Sequence, residues 1–261
     1  MKFDNFILNE KLLLESKDDK GLFKAVFFMG CPGAGKSYVG SKIYGGDISP
    51  RVVNVDKFID FYISSAKGNL EDKGFDKKEI DKLIDKEEIS FMQYPRSKTL
   101  TINQFVSYIG SALPLFCDTT GADIQRVKGR VRSLELLGYD LAYVFINTSL
   151  ETSLYRASLR SRPVPPEVIE SDYHEIQRVK PQLKSLFSFG IEINNNEGEL
   201  TDNIINKAYK KISYFFSGDI QNPIGKEYYQ LMQDNNWDYL APNILSLGEI
   251  KSKLARWFVS N

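Results

Sequence analysis

The chain has 261 residues, with 34 Lys+Arg balancing 34 Asp+Glu and a pI near 6.6. That length suits one large α/β domain with an appendage, and 42% hydrophobic residues can fill its core. Zero formal charge argues against a bulk electrostatic nucleic-acid binder, so any such contact must use a local patch; two cysteines, Cys31 and Cys117, make no disulfide framework.

Residues 1–20, "MKFDNFILNEKLLLESKDDK", read as an amphipathic arm without the long apolar stretch of a secretory signal. No run approaches the ~20 apolar residues of a membrane span. A soluble protein in a reducing compartment is expected. Ala25–Met29 is an apolar run of strand type, and "GCPGAGKS" follows it. This fits Gly-x-x-x-x-Gly-Lys-Ser, with Gly30, Gly35, Lys36 and Ser37 at the fixed positions. A strand, a glycine loop and a helix opening at Gly35 form the setting in which backbone N–H groups cradle phosphates. Gly30, Gly33, Ala34, Gly35, Lys36, Ser37 and Tyr38 are therefore the expected nucleoside triphosphate contacts. Lys36 reaches the outer phosphates, and Ser37 supplies an oxygen to Mg²⁺.

Arg51–Val55 is the second strand candidate. Asp56 follows at its carboxyl end, the edge where ligands of open α/β sheets bind. An Asp there suits a helix N-cap, or a carboxylate that accepts a hydroxyl proton. The charged stretch Asn69–Glu88, with Ile80, Leu83, Ile84 and Ile89 near helical spacing, reads as an inserted helix within an insertion of about 69–98. Leu113–Cys117 is the third strand and runs into Asp118-Thr119. A motor ATPase would place Asp-Glu here, the Glu polarising water; its absence points to transfer to a bound hydroxyl. Asn206-Lys207-Ala208-Tyr209 lacks the carboxylate of a guanine-reading Asn-Lys-x-Asp. Asp118 is the candidate acidic group near Mg²⁺.

Asp123–Leu137 places Ile124, Val127, Val131 and Leu134 on one helical face. It also carries Arg126, Lys128, Arg130 and Arg132, either a solvated face or a patch beside the acceptor edge. Leu141–Ile146 and Ile191–Ile193 complete the strands. Between them, "SLYRASLRSRPVPP" holds Arg156 and Arg160 four apart, which puts both on one helix face. It is the place for a lid, at about 150–168. His174, the only histidine, reads as structural or surface. From residue 199 a helical C-terminal extension follows: "LTDNIINKAYKKISYFFSG", a break at Gly218–Asn222, a helix opened by Pro223, and a last helix in "SLGEIKSKLARWF". Strands alternating with helices predict a parallel sheet with helices on both faces.

"GCPGAGKS", "VNVD" and the stretch from "FCDTTGADIQRVKGRVR" through "RASLRSRPVPPEVIESDYHEI" resemble the kinase domain of phage-type polynucleotide kinases and zeta-toxin-like kinases, over about Phe23–Phe187. The resemblance implies a P-loop NTPase fold with sheet order 2-3-1-4-5 in a kinase domain of 21–198. It implies ATP and Mg²⁺ as cofactors, Asp56 as general base, and Arg156 and Arg160 as lid arginines beside Lys36 and Ser37. It also implies a phage-encoded enzyme acting in the host cytoplasm. Two departures stand out: Ile59 occupies the position of an Arg that grips the acceptor phosphate, and Asp118-Thr119-Thr120 replaces the Glu-Gly-Thr-like ending of zeta toxins.

The acceptor is expected to be a hydroxyl on nucleic acid, a 5′-hydroxyl end or a hydroxymethyl pyrimidine in DNA, bound by Asp56, Asp118, Thr119, Arg126 and Arg130. One alternative is a kinase of a sugar nucleotide or other small metabolite. Another is a non-catalytic nucleotide-binding module, against which intact Lys36, Ser37, Asp56, Arg156 and Arg160 argue. Cys31 and Cys117, at the ends of neighbouring strands, are expected to be free thiols near the nucleotide, open to thiol reagents that compete with ATP, or else two small buried apolar residues.

Overall fold

The computed structural model describes residues 21–43, 51–160, 164–197, 200–237 and 246–254. The arm of residues 1–20, Arg162 of the Arg-rich loop and the chain end beyond 254 lie outside the described residues. In chain order the elements are β1 (Lys24–Met29), α1 (Lys36–Ile43), β2 (Arg51–Val53), α2 (Asp56–Glu71), α3 (Lys77–Leu83) and α4 (Lys86–Gly110). Then come β3 (Leu115–Asp118), α5 (Ile124–Glu135), β4 (Asp140–Asn147), α6 (Leu150–Ser158) and α7 (Pro166–Ser185). β5 (Phe189–Asn194), α8 (Asp202–Ser217), α9 (Pro223–Asn235) and α10 (Leu247–Lys253) complete the chain. No helix among the described residues is long and apolar enough to cross a membrane.

The chain divides into two compact units. One is helical and takes in Asn54–Phe105. Here the single inserted helix expected over Asn69–Glu88 is corrected to parts of three. α2 ends at Glu71, and a new start forms at Asp76. Asp76 accepts from the N–H groups of Lys78 and Glu79 at 2.8 and 2.9 Å, while Glu79 accepts from the Asp76 N–H at 2.8 Å, a reciprocal cap. Ile84 is extended, which separates α3 from α4. The Lys67–Asp81 ion pair, at 3.0 Å, joins α2 to α3. Asp56 is the first residue of α2, with Val55 at the N-cap position.

The other unit holds the sheet, whose five strands are all parallel in the order β2-β3-β1-β4-β5. That order, with the glycine loop directly after β1, is the P-loop NTPase fold. β1 is buried at every position and β4 at its six inner ones, as strands covered on both faces must be. Successive side chains alternate faces. Phe28 packs on Phe116, which meets Phe216 of α8. Phe27 turns the other way and meets Phe187, which also packs on Tyr143. α5 supplies Val127, Val131 and Leu134 to the core, as its periodicity predicts. β2 is three residues long, shorter than the expected Arg51–Val55.

The C-terminal extension is helical and belongs to this unit. A buried ion pair ties it to the amino ends of the central strands. Lys24, 3% exposed, donates to Asp140 Oδ2 and to the Asp219 carbonyl, both at 2.7 Å. Asp140 also accepts from the N–H groups of Gln221 and Asn222 at 2.7 Å each. Those two residues lie in the predicted break, and Asn222 caps α9 ahead of Pro223.

Candidate functional site

The site is built at the carboxyl end of the sheet by four segments of the larger unit: the loop 30–35, α6, the start of α7 and the turn after β5. The loop is shaped by close approaches that no side chain could share. Gly33 has φ +85°, and a Cβ there would come within 2.2 Å of the Ser153 carbonyl on α6. Gly35 has φ +86°, and a Cβ there would lie 2.4 Å from the Asn195 carboxamide nitrogen. Left-handed backbone and absent side chains let the peptide planes turn inward, as a phosphate cradle requires. Gly30 and Ala34 are buried in the same loop, while Ser37 and Tyr38 are exposed on the first turn of α1. Lys36 folds back across the loop, its Nζ donating to the Gly30 carbonyl at 2.8 Å and reaching the Cys31 carbonyl at 3.5 Å. The ammonium thus sits where acceptor oxygens of a polyphosphate would compete with two carbonyls.

Arg156 projects from α6 onto this loop. Its Nη1 donates to the Asn195 carbonyl at 2.6 Å and would lie 3.9 Å from a Cβ on Gly35. α6 is itself fixed on both sides. Ser149 caps it, accepting from Thr152 N–H at 3.1 Å, and the Ser149 N–H donates to Asn196 Oδ1 at 2.7 Å. Thr148 and Ser153 share a buried hydroxyl–hydroxyl bond of 2.7 Å. The expectation that Arg156 and Arg160 share a helix face is corrected: α6 ends at Ser158, and exposed Arg160 lies past the Leu159 C-cap.

Asp118 ends β3 beside Phe28 of β1, half-buried, and the chain then crosses back onto the loop. Thr119 N–H donates to Phe28 O at 3.0 Å, and Gly30 N–H donates to Thr120 O at 3.1 Å. The basic run on α5 is split by the fold. Arg126 is exposed and pairs with Asp123 at 3.4 Å; Lys128 and Arg132 are exposed too. Arg130 instead turns inward. Burial pulls its guanidinium below the ordinary value, and the titratable groups around it include Cys117, Arg126, Asp123 and Asp118. The Asp56 side chain lies outside the described ones. Ile59 is 2% exposed, a core residue of the helical unit.

Both thiols are free and buried. Burial pushes Cys31 up to about 11 against a hydrogen bond from Ser153 and the Lys36 charge. Burial likewise pushes Cys117 up to about 12. The expected easy modification is therefore corrected, since the reactive thiolate is scarce at neutral pH. His174 is exposed on α7 and stacks edge-on against Tyr173.

Three residues escaped motif reading: Asn195, Ser153 and Asp172. Asp172 lies on α7; desolvation raises its carboxyl, and the nearby Lys36 ammonium works in the opposite direction. The run Asn194-Asn195-Asn196 at a strand's carboxyl end was the one available signal, since it is the edge where ligands bind.

No protein-family model matches the chain, and no curated protein is significantly similar to it. Among solved structures it is similar to one from the PezAT chromosomal toxin-antitoxin system of Streptococcus pneumoniae, at 15% identity and TM-score 0.47, covering 88% of this chain and 93% of that one. It is similar to shikimate kinase from Acinetobacter baumannii, at 15% identity and TM-score 0.41, covering 74% of this chain and 93% of that one. Shikimate kinase from Bacteroides thetaiotaomicron matches at 12% identity and TM-score 0.39, covering 72% and 96%. Identities this low speak only to chain path, and the functional reading rests on the chain's own residues.

Proposed function

We propose that the chain is an ATP- and Mg²⁺-dependent kinase that transfers the γ-phosphate to a hydroxyl on nucleic acid. The observation that carries the kinase reading is Arg156 at the glycine loop: a cation on a separate helix stands beside the loop that would hold the phosphates. Phosphoryl transfer is mostly positioning and charge stabilisation, and these are the parts it uses. The residues fit the cofactors. Gly33 and Gly35 hold the positive φ that lets the loop's N–H groups turn toward a polyphosphate chain, and exposed Ser37 on α1, with Asp118 at the end of β3, offers oxygens to a hard cation. A bound magnesium ion would neutralise charge on the outer phosphates. Lys36 would exchange the Gly30 carbonyl for phosphate oxygens. Arg156 would stabilise charge developing on the transferred group. Asp56, opening the helix after β2, would take the acceptor's proton.

For the acceptor, exposed Arg126, Lys128 and Arg132 on α5 support a nucleic-acid backbone. One observation favours a second reading, a small phosphorylated metabolite such as a sugar nucleotide: Arg130 is withdrawn from that exposed row. The test is radiolabelled ATP offered with 5′-hydroxyl oligonucleotides, DNA carrying hydroxymethyl pyrimidines, and sugar nucleotides. Label on the DNA substrates is the expected result. Label on a sugar nucleotide alone replaces the first reading with the second. Nucleotide binding without labelling of any acceptor leaves a binding module.

A further inference from the structure

We propose that Asn195 is the positioning residue of the phosphate cradle, setting the loop's backbone and the Arg156 guanidinium at once. The inference rests on the nucleotide-binding reading of the loop. Asn195 follows β5 directly and is 5% exposed. Three of its four polar groups make bonds that matter here. Its N–H donates to the Asn147 carbonyl at 2.8 Å, which continues the β4–β5 ladder by one more bond. Its carboxamide Nδ2 donates to the Ala34 carbonyl at 2.7 Å, across a sequence separation of 161. Its own carbonyl accepts from Arg156 Nη1 at 2.6 Å.

The first bond anchors the residue to the rigid sheet. The second has a directional consequence. In a trans peptide the C=O and the following N–H point opposite ways. Tying the Ala34 carbonyl back to Asn195 therefore aims the Gly35 N–H away from Asn195, toward the concave side of the loop. That N–H stands at the start of α1, where anion-binding donors are needed. The third bond holds the cation of α6 against the same peptide. One buried side chain and its backbone thus align a phosphate donor with a phosphate-facing cation, and both inherit the precision of the β4–β5 pairing. Gly35 is glycine because the Asn195 carboxamide occupies the space a Cβ would need.

The role is on the phosphates and not on the base, which makes it separable by ligand. Asn195→Ala removes the carboxamide donor and adds no charge. Dissociation constants for ATP and for tripolyphosphate, which has no base or sugar, are measured by isothermal calorimetry on the full chain, with melting temperature recorded without ligand. The expected result is a loss of about tenfold or more for both ligands by a similar factor, the scale of leaving a buried carbonyl without its donor. In turnover, KM for ATP rises while kcat changes less, since the backbone carbonyl that holds Arg156 remains in the variant. Loss of ATP affinity with tripolyphosphate binding unchanged would make Asn195 a base-reading residue and overturn the proposal. Unchanged affinity for both ligands overturns it too. If the wild-type chain binds neither ligand, the nucleotide reading fails and takes this inference with it; that outcome is distinct because it needs no variant. Should Asn195→Ala fail to fold, Asn195→Leu keeps the bulk without donor or charge, and the same loss for both ligands is expected.

Discussion

The Lys24–Asp140 pair offers a stability test that does not depend on any activity. Asp140→Ala would leave the Lys24 ammonium buried with the Asp219 carbonyl and the Phe215 ring as its neighbours and no counter-charge from Asp140, and would strip the acceptor from two N–H groups just ahead of α9. Removing one member of a buried pair costs about 3–5 kcal/mol, because the other charge stays buried and uncompensated. For a folding unit near 200 residues each kcal/mol lowers the melting temperature by about 2–4 °C, so a drop of roughly 6–20 °C is expected. Thermal melting by circular dichroism and urea titration measure it. Lys24→Met combined with Asp140→Ala removes both charges, so the double variant should be more stable than Asp140→Ala alone. An Asp140→Ala protein within about 1 kcal/mol of wild type would refute the reasoning, since a surface pair costs no more than that.

Lys36→Ala should abolish phosphoryl transfer with the fold intact, as circular dichroism and the labelling assay together would establish. Asp56→Asn should retain ATP binding while turnover falls by about two to four orders of magnitude, the usual scale for a general base; unchanged turnover removes the assignment. Cys31 should react with iodoacetamide about a hundredfold more slowly than an ordinary thiol at pH 8, because a pKa raised from 9.0 to about 11 cuts the thiolate by that factor. Mass spectrometry of the native protein checks it, and rapid alkylation would contradict the burial. Glu192 is held at about 2: partial burial opposes its charge, but hydrogen bonds from Lys180, Lys184 and Asn147 prevail. Its pKa is depressed, so its contribution is full above its ordinary value of 4.5 and is lost as pH falls through about 2. Glu192→Gln should therefore flatten the acid limb of the stability curve across that window, and an unaltered limb would count against the network.

The central strands were legible because β1 and β4 are covered on both faces, and such strands read as continuous apolar runs. The glycine loop was legible because its spacing is set by backbone geometry that only glycine tolerates. The two arginines expected in a lid were half legible. Spacing of four puts two residues on one face only while the helix lasts, and α6 stops two residues before Arg160. A helical wheel separates Arg126 from the core face of α5 but does not say what covers Arg130, whose neighbours Cys117 and Asp118 come from β3. The single inserted helix failed for a local reason, the reciprocal cap at Asp76, which the sequence displays as Asp-x-x-Glu. Asn195 was legible only as one of a run of asparagines at a strand's carboxyl end, because its partners Ala34, Arg156 and Asn147 meet it only after the sheet has formed.

The two outer strands of the sheet also bear on how this protein behaves at high concentration. An unpaired strand edge is a template for a neighbouring chain, and long, flat, apolar edges invite stacking. Here one border strand, β2, runs for three residues, too short a ladder for a stranger to hold. The opposite border, β5, alternates buried Ile191 and Ile193 with outward Gly190, Glu192 and Asn194. Glu192 is pinned there between Lys180 at 2.7 Å and Lys184 at 2.5 Å. An arriving strand would have to lay itself against a fixed triplet of charges. The fold thus keeps its longest exposed ladder guarded by the same carboxylate that fastens α7 to the sheet, so Glu192→Val should raise light scattering on concentration well before it lowers the melting temperature.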